Sequence, residues 1–307
     1  MFREAQTYVY GPDVPSERIH NSGTRNPREQ AYIIPNEHLL RSGYEDYGNS
    51  PRSRSYYGMY NGIPVVVKAW WEGSIGPHRP QNFTNTLLDH LDRWKELHHP
   101  NIAPFLGLTW HWDSIPSLVL PRYEMNINKY VASNAVDPIP LFRDVARGLS
   151  YLHSLSTPLP HGCITGGNIL INKSGRASLT DIGLVKVTGL TLKDSRGTSD
   201  IWRWFAPEIG SDTEPYTPAS DVYCFGMTML EVYTGYPPFH PVKAFQVSQD
   251  VRRGIRPRRP RRGIPNDVWR IICECWKQDP LHRPGIGWVL TELEACIRRR
   301  KDRTVVN

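Results

Sequence analysis

The 307 residues carry a net charge of +7, with 39% hydrophobic and 22% charged side chains. That balance suits a chain that buries a full-sized core as one large domain or two lobes, and it excludes wholesale disorder. The positive surplus favours acidic partners such as nucleotides or acidic peptides and is too small to imply nucleic acid.

No apolar run approaches the ~20 residues of a membrane-spanning helix, and the N-terminus has no secretory apolar stretch. The cysteines Cys163, Cys224, Cys273, Cys275 and Cys296 fit neither a disulfide framework nor a zinc spacing. A soluble, cytoplasmic protein in a reducing compartment is expected.

In chain order, residues 1–42 are polar, proline-containing and without a period, and read as a partly disordered extension. From about Gly43, strand-like pieces broken by Gly and Ser lead to Ile63–Ala69, a β-branched run ending near Lys68. The period then switches. Phe83, Leu87, His90, Leu91, Trp94 and Leu97 recur at three and four, one face of a helix. Ser117–Leu120 reads as a short buried strand. Helices follow around Leu141–Leu155, Asp221–Thr234, Val268–Gln278 and Ile286–Arg299, with a hairpin formed by Ile169–Ile171 and Ala177–Leu179. Strands first and helices later imply two lobes of different class, an α+β chain.

Short motifs in a fixed order make the chain resemble a protein kinase domain of the tyrosine-kinase-like group. They are the strand ending at Lys68, His99-Pro100-Asn101-Ile102, the loop His161-Gly162-Cys163-Ile164-Thr165-Gly166-Gly167-Asn168, Asp181-Ile182-Gly183, Ala206-Pro207-Glu208, the segment from Asp221 to Gly226, and Cys275–Pro280 followed by Arg283-Pro284. The resemblance covers residues 43–297. It implies a β-rich N-lobe over 43–121, a mainly helical C-lobe over 122–297, and a basic tail over 298–307.

The resemblance also assigns roles. Glu208 and Arg283 are expected to pair and anchor the activation segment, Asp221 to receive hydrogen bonds from the catalytic-loop backbone, and His161 and Ile182 to stack between the lobes. Gly183 completes the Asp-Ile-Gly motif. Lys68 is expected on the α- and β-phosphates of ATP, Asn168 and Asp181 on Mg2+, and Leu120 in the nucleotide pocket. Phosphoryl transfer rests on positioning and charge neutralisation, so each part counts separately.

Several parts depart from the family pattern. The catalytic carboxylate is replaced by Cys163, whose thiol is mostly protonated at neutral pH when unperturbed. Thr165 stands where a lysine steadies the γ-phosphate, and Ile201 where a Ser or Thr would join it. The glycine-rich loop falls on Gly48, Ser50 and Ser53, with Pro51 and Arg52 between them, which weakens a phosphate cradle of backbone N–H groups. His90 occupies the glutamate position of the helix that follows the lysine strand, with Asp89 and Asp92 as substitutes if the register shifts. Gly162 replaces an arginine that would bind an activation-segment phosphate, leaving Thr188, Thr191, Thr198 and Ser199 without that anchor.

Three functions remain open at this point. The first is a pseudokinase with weak or no binding of ATP and Mg2+, acting on other signalling proteins as a scaffold or allosteric partner. The second is an atypical Ser/Thr kinase of low activity. The third is an interaction module that binds acidic partners through the arginine-rich stretch 252–262, part of which follows a Gly-x-Arg-Pro-x-x-Pro pattern common to kinase domains. Arg298–Lys301 suits a helix C-terminus.

Overall fold

The computed structural model describes residues 27–49, 53–70, 83–110, 116–187, 200–209, 216–261 and 263–306. A short helix α1 (Pro27–Gln30) precedes strands β1 (Leu39–Asn49), β2 (Ser53–Tyr60) and β3 (Ile63–Trp70), then helix α2 (Phe83–Lys95) and strands β4 (Gly107–Thr109) and β5 (Ser117–Pro121). These strands form one antiparallel sheet in the order β1-β2-β3-β5-β4.

The period-2 alternation of β3 divides its side chains between two apolar layers. Val65 and Val67 pack outward with Val119, Ile34 and Leu39. Trp70 joins the inner layer, where Phe83, Leu87, Leu88, Leu91 and Trp94 of α2 are buried against Leu108, Leu118 and Leu120. The same alternation puts Val66 and Lys68 on the cleft wall. Full burial of such side chains stabilises by about 1.5–3 kcal/mol each before entropy is charged.

Ile34 and Leu39 place the N-lobe boundary earlier than the sequence suggests. β1 starts at Leu39, and Tyr32 and Ile34 are buried. Ile34 N–H donates to the Leu108 carbonyl (2.8 Å), and Leu108 N–H returns a bond to Tyr32 (2.7 Å). Tyr32 thus joins the inner core, while Ile34 and Leu39 cover the outer face of the sheet.

The chain continues through β6 (Met125–Asn126), α3 (Ile127–Asn134), α4 (Ile139–His153), β7 (Ile169–Ile171), β8 (Ala177–Leu179) and α5 (Leu184–Val187). The C-lobe closes with α6 (Pro218–Thr234), α7 (Ala244–Arg252), α8 (Asn266–Cys275) and α9 (Ile286–Val306). β6, β7 and β8 make a small antiparallel sheet at the cleft. Buried α6 is the pillar of this lobe. Thr217 and Ser220 form a reciprocal capping box, Pro218 opens the first turn, and Gly235 ends the helix with φ +70°.

Helix α9 runs through residues expected to form a tail, because Arg, Lys and Asp in 298–302 continue the helix without a breaker. Among the described residues, no helix is long and apolar enough to cross a membrane.

Candidate functional site

The cleft between the lobes is lined by Ser55, Val66, Lys68, Leu120, Tyr123, Asn168, Thr180 and Asp181, among others. The described residues leave a cavity of about 100 Å³.

The catalytic loop owes its course to three polar residues on one stripe of apolar α6. Asp221 is fully buried and accepts N–H bonds from His161 and Gly162 (both 2.8 Å), with His153 Nε2 on the same carboxylate at 2.8 Å. One further stretch along the helix, Thr228 donates to the Ile164 carbonyl (2.8 Å). Glu231 then accepts from Gly166 N–H (2.9 Å), the Asn128 amide (2.6 Å) and the Trp204 indole (2.8 Å). Burial pushes the Glu231 carboxyl up, against these three donors. Thr228 and Glu231 were not singled out from sequence. The available signal was polar residues spaced seven and three apart in a helix otherwise apolar on all sides.

Within this loop Cys163 is 6% exposed. The Asn168 amide donates to the Cys163 carbonyl (2.9 Å) and approaches its Sγ at 3.7 Å. Thr165 is half-buried and precedes the turn that holds Asn168, whose N–H donates to the Thr165 carbonyl (3.0 Å).

Asp181 adopts φ +61°, a left-handed conformation that aspartate tolerates better than most side chains. It forms an ion pair with Lys68 across the cleft, with both side chains largely buried. Gly183 follows with φ +65°, and a Cβ there would lie 2.4 Å from the His90 ring. Gly183 N–H donates to the His161 carbonyl (2.9 Å), and His161 and Ile182 are fully buried between the lobes.

His90 does not face Lys68. Its Nε2 meets the Ile182 carbonyl, so α2 is linked to the Asp-Ile-Gly backbone in place of an ion pair with the lysine. Burial lowers the His90 pKa to about 4, which keeps the ring neutral and its N–H available to that carbonyl. Asp89 and Asp92 do not substitute either. Asp89 pairs with Arg28 at 2.6 Å, while Asp92 accepts from Arg28 Nε at 2.9 Å and from the Tyr32 hydroxyl. Both carboxylates thus point to the N-terminal segment, and sequence gave no cue to partners some sixty positions away.

Gly162 has φ +81°, and a Cβ there would lie 2.6 Å from Val185 Cγ1. In the activation-segment region, Glu208 and Arg283 form a two-pronged pair (2.6 and 2.7 Å), with the Arg283 side chain fully buried. Arg283 also donates to the carbonyls of Ala219, Lys277 and Gln278. Ile201 sits in a short turn, packed against the core. Gly48 pairs through its backbone with Ser55, and Ser53 with Trp70. Ser50, Pro51, Arg52, Thr188, Thr191, Thr198 and Ser199 lie outside the described residues. No group of three or more His, Cys, Asp or Glu residues among the described residues is arranged to hold a metal ion.

A strand-rich lobe over a helical lobe, with a lysine and an aspartate meeting across the cleft, defines a two-lobed protein-kinase fold. The sequence profile of the family described as Protein tyrosine and serine/threonine kinase matches residues 48–293, and the chain belongs to that family. Among curated relatives, the serine/threonine-protein kinase CTR1 of Arabidopsis thaliana is 28% identical over 246 residues, covering 78% of this chain and 29% of CTR1. The probable serine/threonine-protein kinase SIS8 of the same plant is 27% identical over 304 residues, 93% of this chain and 28% of SIS8. The probable serine/threonine-protein kinase drkD of Dictyostelium discoideum is 27% identical, covering 81% of this chain and 19% of drkD. The chain thus spans less than a third of the length of these relatives.

Proposed function

We propose that this kinase domain, of the tyrosine-kinase-like type, is a pseudokinase that binds ATP weakly and serves other signalling proteins as a scaffold or allosteric partner. The observation that carries this reading is the buried Cys163 at the catalytic-carboxylate position, with the Asn168 amide beside it. A neutral thiol lacks the charge and acceptor strength to take the proton of an attacking hydroxyl, and loss of such a base costs about 10²–10⁴ in rate. Thr165 removes a positive charge and Ile201 a hydroxyl from around the transferred phosphoryl.

The residues present fit ATP with a divalent cation in a limited way. Lys68 would meet the phosphates. Asp181 and the side-chain oxygen of Asn168 are hard donors for Mg2+, and the Asn168 nitrogen is already committed to Cys163. When bound, the cation neutralises phosphate charge. Occupying both roles means breaking the Lys68–Asp181 pair, so part of the binding energy is spent on separating it.

A second reading, a Ser/Thr kinase of low activity, draws on the placement of Lys68, Asn168 and Asp181 around one cleft, since positioning alone leaves residual catalysis. Nucleotide-dependent thermal stabilisation tests the binding half of the proposal. ATP at millimolar concentration with Mg2+ is expected to raise the unfolding temperature slightly, and Lys68→Met to abolish the rise. A large rise at micromolar ATP would contradict weak binding.

A further inference from the structure

Two basic segments far apart in sequence both reach the start of α8. Arg259 donates to the Ile264 carbonyl (2.9 Å) and to Asn266 Oδ1 (2.6 Å), which ties the arginine-rich loop to the start of α8. Asn266 and Asp267 line a cleft of about 470 Å³ together with Pro265, Arg299 and Arg300. Arg299 and Arg300 both donate to Asp267, at 3.3 and 3.1 Å, and Arg300 also reaches Asp137 at 3.4 Å. Arg259 thus reaches Asn266 while Arg299 and Arg300 reach its neighbour Asp267, and Arg258 and Arg261 flank Arg259 in the same loop.

Folding accounts for only some of these charges. Arg256 is absorbed by the Trp276 carbonyl, the Val251 carbonyl and Gln278, and Arg259 by α8. Arg258 and Arg261 are exposed and make no hydrogen bond or ion pair with the described residues. Arg299 and Arg300 are met by Asp267 and Asp137, so the charges left to repel one another are those of Arg258 and Arg261, which an outside anion would relieve.

We propose that this region, separate from the nucleotide cleft, binds an acidic segment of a partner protein. Guanidinium groups present paired donors that match carboxylates in a two-pronged geometry. Pro257 and Pro260 restrict the loop backbone, which lowers the ordering cost on binding. A cleft of this size admits individual acidic side chains, and Asp137 and Asp267 interrupt the continuous positive track on which a nucleic-acid backbone would lie.

The test uses the full chain and a fluorescein-labelled poly-glutamate peptide, read by anisotropy at low and physiological salt. Poly-glutamine and a DNA duplex of equal charge serve as comparisons. The expected result is salt-sensitive binding of poly-glutamate and none of poly-glutamine. Affinity should fall about tenfold or more in R258E/R261E, and likewise in Arg299→Ala. The R258E/R261E exchange lies on exposed side chains, so an unchanged urea midpoint separates lost binding from lost fold. Lys68→Met should bind the peptide as the natural chain does. Absence of peptide binding, undiminished binding in R258E/R261E, or tighter binding of the duplex would each overturn the proposal.

Discussion

His90 should make this protein acid-sensitive in a measurable way. Free histidine has a pKa of 6.5, and in place the ring titrates at about 4, chiefly through burial. A histidine with a lowered pKa contributes its full stability above the unfolded value and loses it as pH falls from 6.5 toward 4. At about 1.36 kcal/mol per pH unit, the loss from this residue reaches about 2.5 kcal/mol at pH 4.5. Replacing it by Gln keeps an N–H donor for the Ile182 carbonyl and removes the titration. Urea unfolding of the natural chain and of His90→Gln at pH 7.0, 5.5 and 4.5 is the assay. The stability difference between the two proteins should shift by about 2.5 kcal/mol in favour of the variant between pH 7.0 and 4.5. Buried His161, also lowered by burial, is common to both proteins and cancels. Parallel pH curves would refute the reasoning.

Other changes follow from the same geometry. Gly162→Arg, which restores the family residue, should destabilise by about 1–3 kcal/mol in urea unfolding, because φ is +81° and Val185 occupies the Cβ space. Tyr32→Ala should cost about 3 kcal/mol and speed hydrogen exchange in α2, since it removes a buried ring and the hydroxyl bond to Asp92. Arg283→Ala should cost about 3–5 kcal/mol by stranding Glu208 and three carbonyls, measured by denaturant titration.

The parts of the fold legible in the sequence were those with strong local signals. β7 and β8 lie where the hairpin was read, β3 extends the β-branched run by one residue, and α2 begins at Phe83 as its three-and-four spacing predicts. The loop from His161 to Asn168 was singled out from motif order, and the structure places it against Asp221, Thr228 and Glu231 of α6. What escaped was pairing at long range. Nothing local tells Asp92 that Arg28 and Tyr32 will reach it, and the low periodicity of residues 27–38 hides that Ile34 covers the sheet. The neighbours of His90 were equally invisible, because an imidazole facing a backbone carbonyl leaves no second side chain to read. That Arg259 reaches Asn266 while Arg299 and Arg300 reach its neighbour Asp267 is likewise an adjacency no local signal carries.

Loss of the catalytic base from the cleft would show in single-turnover phosphotransfer from labelled ATP with Mg2+ or Mn2+. The natural chain, Asp181→Ala and Cys163→Asp would be run side by side. No incorporation is expected in the natural chain or in Asp181→Ala, and measurable incorporation once Cys163→Asp returns a carboxylate. Incorporation by the natural chain that vanishes in Asp181→Ala would contradict that loss and make this an active kinase.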